Sequence, residues 1–492
     1  MKPEPAPLGR RPTWTAALLG LLVSFPYWPG GPVWDDHSLI HAHLVSQPLG
    51  DLWTLWATPV TSGDFGAAYY RPLPMTLLAV LGRVGIPLVH VLAGLLHAAS
   101  AALICELGER TRPARWGALV FAAHPIGWEV LGWASALPDA LAVMLGLATL
   151  WSARRHWWAG VFLAMVLALL SKESALVWLV FGGVAGWFDR RSWMAVGAAV
   201  VAVVGMRLGV GVVGTPPLGA VSVGHAVQVL LQQLGAVVWP LPLTAVHDTH
   251  HLSTGGMVLG GLALVGGVAL ALRDGRVGKA ALAVVVLSPV LALPTVLSSH
   301  LAGDRYLYAS AAAVGLWVAH LPPIPLVTQS SLLRVVFVLL GTAGVGVHAW
   351  SASAWHTDRA LFERAVEVTP ESSYAHLFLG HAHALDDRYA EAARAFDQAR
   401  QLPHAHPETA QLTLQAYVLA GAPEAAVRLG RDGPKDGLTA AWIGWWARAE
   451  LDAGNAHEAA KLVGMLQRPD GSWDGPGFVP ELAREIRVAL GE

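Results

Sequence analysis

The sequence predicts an all-α protein in two parts: a polytopic membrane helical bundle over residues 1–355 and a soluble α-solenoid of helical repeats over residues 356–492. Three observations predict it. Of the 492 residues 54% are hydrophobic and only 13% charged, where an ordinary soluble domain carries roughly 25%. That charge is unevenly placed, with 33 of the Asp, Glu, Lys and Arg residues in 1–355 and the other 33 in 356–492. Finally, the triplet EAA returns at 391–393, 424–426 and 458–460, spacings of 33 and 34 residues, the length of a two-helix repeat.

In the first part, apolar runs occur at 13–29, 86–108, 115–127, 137–152, 157–171, 174–188, 193–211, 255–272, 279–296, 306–320 and 332–351. Read against the ~20 residues of a spanning helix, they predict about 11 spans. The first run follows Arg10 and Arg11 as a signal peptide would, but no small-residue cleavage site follows, so it reads as an uncleaved span.

Basic residues cluster in alternate connections: Arg10/Arg11, Arg110/Arg112/Arg115, Arg154/Arg155, Arg190/Arg191, Arg273/Arg276/Lys279 and Arg334. Placing these in the cytoplasm puts 14 of the 19 basic residues of this part there, and leaves Arg71, Arg83, Lys172, Arg207 and Arg305 on the other side. That outer side holds Asp35, Asp36, Asp51, Asp64, Glu129, Asp139, Glu173, Asp248 and Asp304. The alternation requires that 226–246, with Gln228, Gln232 and Gln233, does not cross. The expected setting is a cell inner membrane, crossed many times, with the N-terminus cytoplasmic and the repeats periplasmic or otherwise outside the cytoplasm.

Polar chemistry gathers in the outward connections. The largest, about 30–85, reads GGPVWDDHSLIHAHL and then DFGAAYYRPLP. Asp35, Asp36 and His37 follow the first span, where a carboxylate meets a lipid-linked substrate arriving from the bilayer. Adjacent residues do not share a face of a helix or strand, so the two acids have different roles. The alternative is a solvated loop start that caps a short helix. Further along come His124, Glu129 and Asp139 in AHPIGWEVLGWASALPDAL, Lys172 and Glu173 in LLSKESAL, the cluster VHDTHH, and Asp304 and Arg305 in SSHLAGDRYLYAS. Ionisable groups between apolar runs are functional or paired, and a plain Lys172–Glu173 ion pair explains that motif as well as a substrate contact does. Arg305 suits a phosphate because guanidinium matches its oxygens. A carboxylate that activates a hydroxyl, beside cations that stabilise a departing phosphate, fits this set better than a transporter, whose repeated halves and midplane polar groups are not evident. A divalent metal stays open, at Asp35, Asp36 and His37 or at HDTHH, although no spacing requires one. No other cofactor is implied. Basic residues form no dense patch, which speaks against nucleic acid, and the single Cys105 forms no intrachain disulfide.

In the tail, Leu379, Gly380, Ala392, Phe396 and Ala399 occupy small and large positions through which two helices interlock. HTDRALFERAVEVTP reads as the second helix of an incomplete repeat, and the later copies are degenerate around DGPKDG at 432–437. Stacked helical pairs present a concave surface, so a protein or peptide is the expected ligand.

In this order, WDDHSLI, YYRPLP, FAAHPIGWEVLGWASALPDAL, LLSKESAL and DRYLYAS, followed by repeats, resemble the transmembrane and tetratricopeptide-repeat O-mannosyltransferases and their bacterial relatives, within the C-type (GT-C) glycosyltransferases. The resemblance covers nearly the whole chain and is weak at about 190–295. It implies an inverting enzyme that moves a sugar from a polyprenyl-phosphate donor to a hydroxyl acceptor, protein or glycan, on the outer face. It further implies that Asp35 or Asp36 is the general base and that Lys172, Arg305 and Arg71 hold the donor phosphate. His37, His124, Glu129, Asp139, Glu173 and Asp304 then support the cavity. Where the family commonly has a Gly-Arg-Ala-Asp-like run, this chain reads SALPDAL, keeping Asp139 and losing the Arg. A non-catalytic membrane scaffold that recruits a partner through its repeats, and an oligosaccharide ligase or polymerase, are the alternatives.

Overall fold

The computed structural model describes residues 11–61, 68–212, 222–321, 331–433 and 438–491. Arg10, Asp64 and the centre of DGPKDG lie outside the described residues. The chain divides into two compact units, Met1–Leu361 and Phe362–Glu492. Both are helical. The only ladders among the described residues pair Val60–Thr61 with Ala68–Tyr69 and His247–Asp248 with Leu301–Ala302, both antiparallel.

The helices of the first unit are α1 (Arg11–Ser24), α2 (Thr54–Ala57), α3 (Pro72–Val84), α4 (Ile86–Leu107), α5 (Arg112–Ala122), α6 (Gly127–Gly132), α7 (Leu137–Arg154), α8 (Trp158–Ser171), α9 (Val177–Ala185), α10 (Arg190–Gly209), α11 (Val223–Val238), α12 (Thr254–Arg273), α13 (Gly275–Ser299), α14 (Tyr308–Ala319) and α15 (Ser331–Ser351). Their starts follow local chemistry. Asp189, Ser222 and Ser253 accept the N–H groups of Ser192, His225 and Gly256 at the heads of α10, α11 and α12, satisfying donors that have no partner within the helix. Pro72, Pro113 and Pro138 stand in the first turns of α3, α5 and α7, where a missing N–H costs nothing.

Among the described residues, five helices are long and apolar enough to cross a membrane: α4, α7 with the turn Ala134–Ala136 before it, α10, α12 and α13. The shorter runs at 13–29, 115–127 and 306–320 form helices of 14, 11 and 12 residues. At ~1.5 Å per residue these reach roughly 16–21 Å, short of a hydrocarbon core of about 30 Å. Beside the runs that form long apolar helices, Ser331–Ser351 among them at 21 residues, the described unit thus holds a set of shorter ones.

Helices α4 and α7 form the centre, with Ile104, Leu137, Leu147 and Leu150 fully buried. Helices α10 and α12 lie at the edge and expose Val201, Val204, Val258, Leu262, Val265 and Leu272, as a lipid-facing surface does. The segment 226–246 holds the 16-residue α11 and then leaves helical geometry at Trp239. A side chain on Gly235 or Gly260 would collide with the backbone of the facing helix, so α11 and α12 approach each other at glycine distance.

In the second unit, helices Ser373–Leu385, Tyr389–Gln401, Thr409–Leu419, Pro423–Asp432, Ala440–Asp452, Ala456–Gly464 and Val479–Leu490 each pack on the next. Each EAA opens a helix: Glu391, Glu424 and Glu458 lie in first turns, where the helix dipole favours an acid, and Ala392, Ala426 and Ala459 are fully buried. The Phe396 ring lies against Gly380, where a side chain would overlap it. One buried acid, Glu450, gathers Arg431, Trp446 Nε1 and Asn455 Nδ2.

Candidate active site

Chain connections, rather than helix faces, build the site. Pairing of His247 with Ala302 and of Asp248 with Leu301 brings VHDTHH beside SSHLAGDRY. Asp304 then lies 3.3 Å from His247 Nε2 and accepts the indole N–H of Trp128 at 2.7 Å. Arg305 pairs with the fully buried Glu129, which also accepts the Arg305 backbone N–H at 3.0 Å. The Arg305 guanidinium lies 4.7 Å from the Trp133 ring and 4.4 Å from the Tyr306 ring, and donates to the Tyr306 hydroxyl at 2.8 Å.

Lys172 lies 5.1 Å from the same Tyr306 ring and donates to both oxygens of Asp139 at 2.6 and 2.8 Å. Both partners are less than a tenth exposed. Arg71, just after the Val60–Tyr69 ladder, lies over Tyr69 and grips Glu173 through Nε and Nη2 at 3.3 and 2.6 Å. Arg207, at the end of α10, reaches the other side of Glu173 at 3.7 Å. The expected Lys172–Glu173 pair is thus replaced by two pairs with different partners, because neighbouring residues point apart.

The two adjacent acids separate in role. Asp36 is fully buried, and its oxygens accept Val33 N–H at 3.2 Å, Ser135 N–H at 2.8 Å and the Ser135 hydroxyl at 2.5 Å. These bonds tie the first loop to the turn before α7 and leave Asp36 a structural post. Burial outweighs the three donors and pushes its carboxyl up to about 7. Asp35 is half-buried and its carboxylate has no hydrogen-bond or ion-pair partner among the described residues. Burial raises it above the ordinary carboxylate range, and the Arg305 guanidinium pulls it back. Its backbone setting is unusual: Trp34 adopts φ 55°, a left-handed conformation that is costly for a bulky residue. The Trp34 ring stacks on Trp133 at 5.1 Å, and the Trp34 backbone N–H donates to Asp358 Oδ1 at 2.7 Å. His37 holds the other oxygen of Asp358 at 2.7 Å, which raises the imidazole above its usual range.

Of the expected site residues, the pairs Asp139–Lys172 and Glu129–Arg305 meet at the Tyr306 ring, Arg71–Glu173 forms a pair of its own, Asp304 holds His247 and Trp128, and Asp35 feels the Arg305 charge without a bond to it. Asp36 and His37 hold the loop that carries Asp35. His124 bonds Val237 O at 3.1 Å and the Ile126 N–H at 3.3 Å, and so anchors α11. The HDTHH histidines disperse: His247 faces Asp304, while His250 lies against His300, ring centres 4.6 Å apart. Among the described residues no three His, Cys, Asp or Glu side chains are grouped to hold a metal. Sequence reasoning missed Ser135, Trp133, Tyr306, Arg207 and Asp358. Trp133 and Tyr306 stand beside expected residues within quoted motifs, and Arg207 is a lone cation ending an apolar run; each of these was a usable signal. Nothing local marks Asp358, which is 321 residues from His37.

Asp35 thus keeps a carboxylate free of partners among the described residues, in the field of Arg305, while Glu129, Asp139 and Glu173 neutralise the cations Arg305, Lys172 and Arg71. A hydroxyl brought to Asp35 finds a proton acceptor, and an anionic leaving group finds guanidinium and ammonium groups close by.

No family profile matches the chain and no solved structure matches it. A stretch of 62 residues, 13% of the chain, is 39% identical to the cytochrome c-type biogenesis protein CycH of Pseudomonas aeruginosa, of which it spans 15%.

Proposed function

We propose that this chain is an integral membrane glycosyltransferase that moves a sugar from a polyprenyl-phosphate donor to a hydroxyl acceptor, protein or glycan, on the non-cytoplasmic face. The observation that carries the reading is Asp35, an unpaired, half-buried carboxylate where Glu129, Asp139, Glu173 and Asp304 are all committed to partners. Asp35 accepts the acceptor's hydroxyl proton while that oxygen attacks the anomeric carbon. The anomeric carbon–phosphate oxygen bond breaks on the opposite side, with inversion, and the phosphate departs onto the cations. A carboxyl raised by burial is a better base than one in water. The repeating EAA helices support a tetratricopeptide-like second unit that binds the acceptor protein or another protein or peptide partner, with the first unit crossing the inner membrane many times.

The test is transfer of radiolabelled sugar from a polyprenyl-phosphate donor by the full chain in membranes. Asp35→Asn, in protein that inserts and elutes as wild type, is expected to lose about 10²- to 10⁴-fold in rate. Full activity of that variant overturns the assignment. Transfer only from a diphosphate-linked oligosaccharide would make the protein a ligase or polymerase instead.

A further inference from the structure

Charge balance separates the cations of the site. Lys172 and Asp139 neutralise each other through two short hydrogen bonds, both nearly buried. Arg305 and the fully buried Glu129 neutralise each other as well, and Arg305 is fixed further by Tyr306 and Trp133. Both pairs are closed, because separating a buried pair leaves an uncompensated charge. The third group differs: two guanidiniums, Arg71 and Arg207, share the single carboxylate of Glu173. Among the described residues this group carries a surplus of one positive charge, and its carboxylate is 43% exposed. Arg207 stands 3.7 Å from that carboxylate, beyond a good hydrogen bond, so its donors are the least satisfied of the set.

We infer that Arg71 and Arg207 together form the binding site for the phosphate of a lipid-linked donor, with Glu173 as an internal stand-in that the phosphate displaces. Guanidinium donors in fork geometry match phosphate oxygens as they match a carboxylate, and the exposed Glu173 yields its place at low cost. Lys172 is then a positioning residue that holds Asp139 and the Tyr306 ring and does not touch the phosphate. This rests on the transferase reading for the identity of the lipid, but its geometry stands apart from Asp35.

The experiment measures binding, without turnover, of farnesyl phosphate to the full-length chain in nanodiscs of zwitterionic lipid, with inorganic phosphate and phosphatidylglycerol as competitors. Arg207→Ala and Arg71→Ala are each expected to weaken binding ~10-fold or more, as loss of a charge-assisted contact does, and Arg207→Lys to weaken it less. Glu173→Gln is expected to tighten binding several-fold, the opposite of what loss of a merely structural ion pair produces. Wild-type affinity in Arg207→Ala, or a loss in Glu173→Gln as large as in Arg71→Ala, overturns the site. Equal competition by inorganic phosphate or phosphatidylglycerol overturns the lipid-linked identity. Binding through the two arginines in a chain that transfers no sugar sinks the transferase reading and keeps the site; normal transfer by Arg207→Ala does the reverse.

Discussion

The units Met1–Leu361 and Phe362–Glu492 use their charged side chains in opposite ways. In the second unit, many ion pairs are local and lie on solvated faces, three or four residues apart, as Arg388–Glu391, Arg400–Asp397, Lys461–Glu458 and Arg448–Asp452 do, and the longer-range Arg448–Glu485 pair is part-exposed too. In the first, Glu129 meets Arg305, Asp139 meets Lys172, Arg71 meets Glu173 and Asp358 meets His37, across separations of 33 to 321 residues. Where water is plentiful, a charge needs no particular partner and takes its neighbour on the helix. Where apolar surface surrounds it, only a committed partner makes the charge tolerable, and the pair becomes a fastener between distant segments. An uncommitted carboxylate such as Asp35 is then conspicuous in the first unit and would be unremarked in the second.

This contrast breaks if charge removal costs the same in both places. The largest effect is expected for Glu129→Ala, which strands Arg305: about 3–5 kcal/mol of stability, read as a lower melting temperature of the detergent-solubilised protein. Glu450→Ala sharpens the comparison, because Glu450 is the second unit's exception, fully buried and bonded to Arg431, Trp446 and Asn455. Its loss is expected to cost about 2–3 kcal/mol, seen as earlier proteolysis of residues 362–492, with sugar-donor binding unchanged.

A pH series is expected to move the Asp35 loop by a smaller amount. His37 has its folded pKa raised by Asp358, so its contribution is complete below the unfolded value near 6.5 and fades as pH rises through the folded value. Asp36, pushed up to about 7 in the folded chain, holds more protons there than unfolded, so stability falls with rising pH on its account as well. Hydrogen-exchange protection at residues 33–45, corrected for the intrinsic rate at each pH, should therefore fall as pH rises above 6, and His37→Gln should flatten part of that fall. An unchanged profile in His37→Gln removes His37 from the explanation. The smallest effect belongs to Arg400→Ala, at about 0.5 kcal/mol or less; a drop comparable to Glu450→Ala would end the distinction.

The sequence made the architecture legible where chemistry is periodic or scarce. The EAA triplets marked helix starts because a first-turn acid and two small residues are needed together. The ionisable residues in apolar surroundings marked the site because so few are tolerated there. What stayed hidden is what depends on partners. Asp35 and Asp36 are the same residue type, and the donors of Val33 and the distant Ser135 make Asp36 a post and leave Asp35 unbonded. Lys172 and Glu173 are adjacent and opposite in charge, yet extended backbone at Lys172, with ψ 138°, turns them to Asp139 and Arg71. Helix length stayed hidden as well: Gly275–Ser299 runs 25 residues through Pro289 and Pro294, whereas Arg112–Ala122 stops after 11.

The glycine contact between α11 and α12 has a mechanical consequence. With Gly235 and Gly260 set against opposing backbone, there is no layer of side chains between the two helices to slide or re-rotamerise. The pair is therefore joined backbone to backbone, and the bulky side chains of α12, Leu262 and Val265 among them, are left on its exposed face.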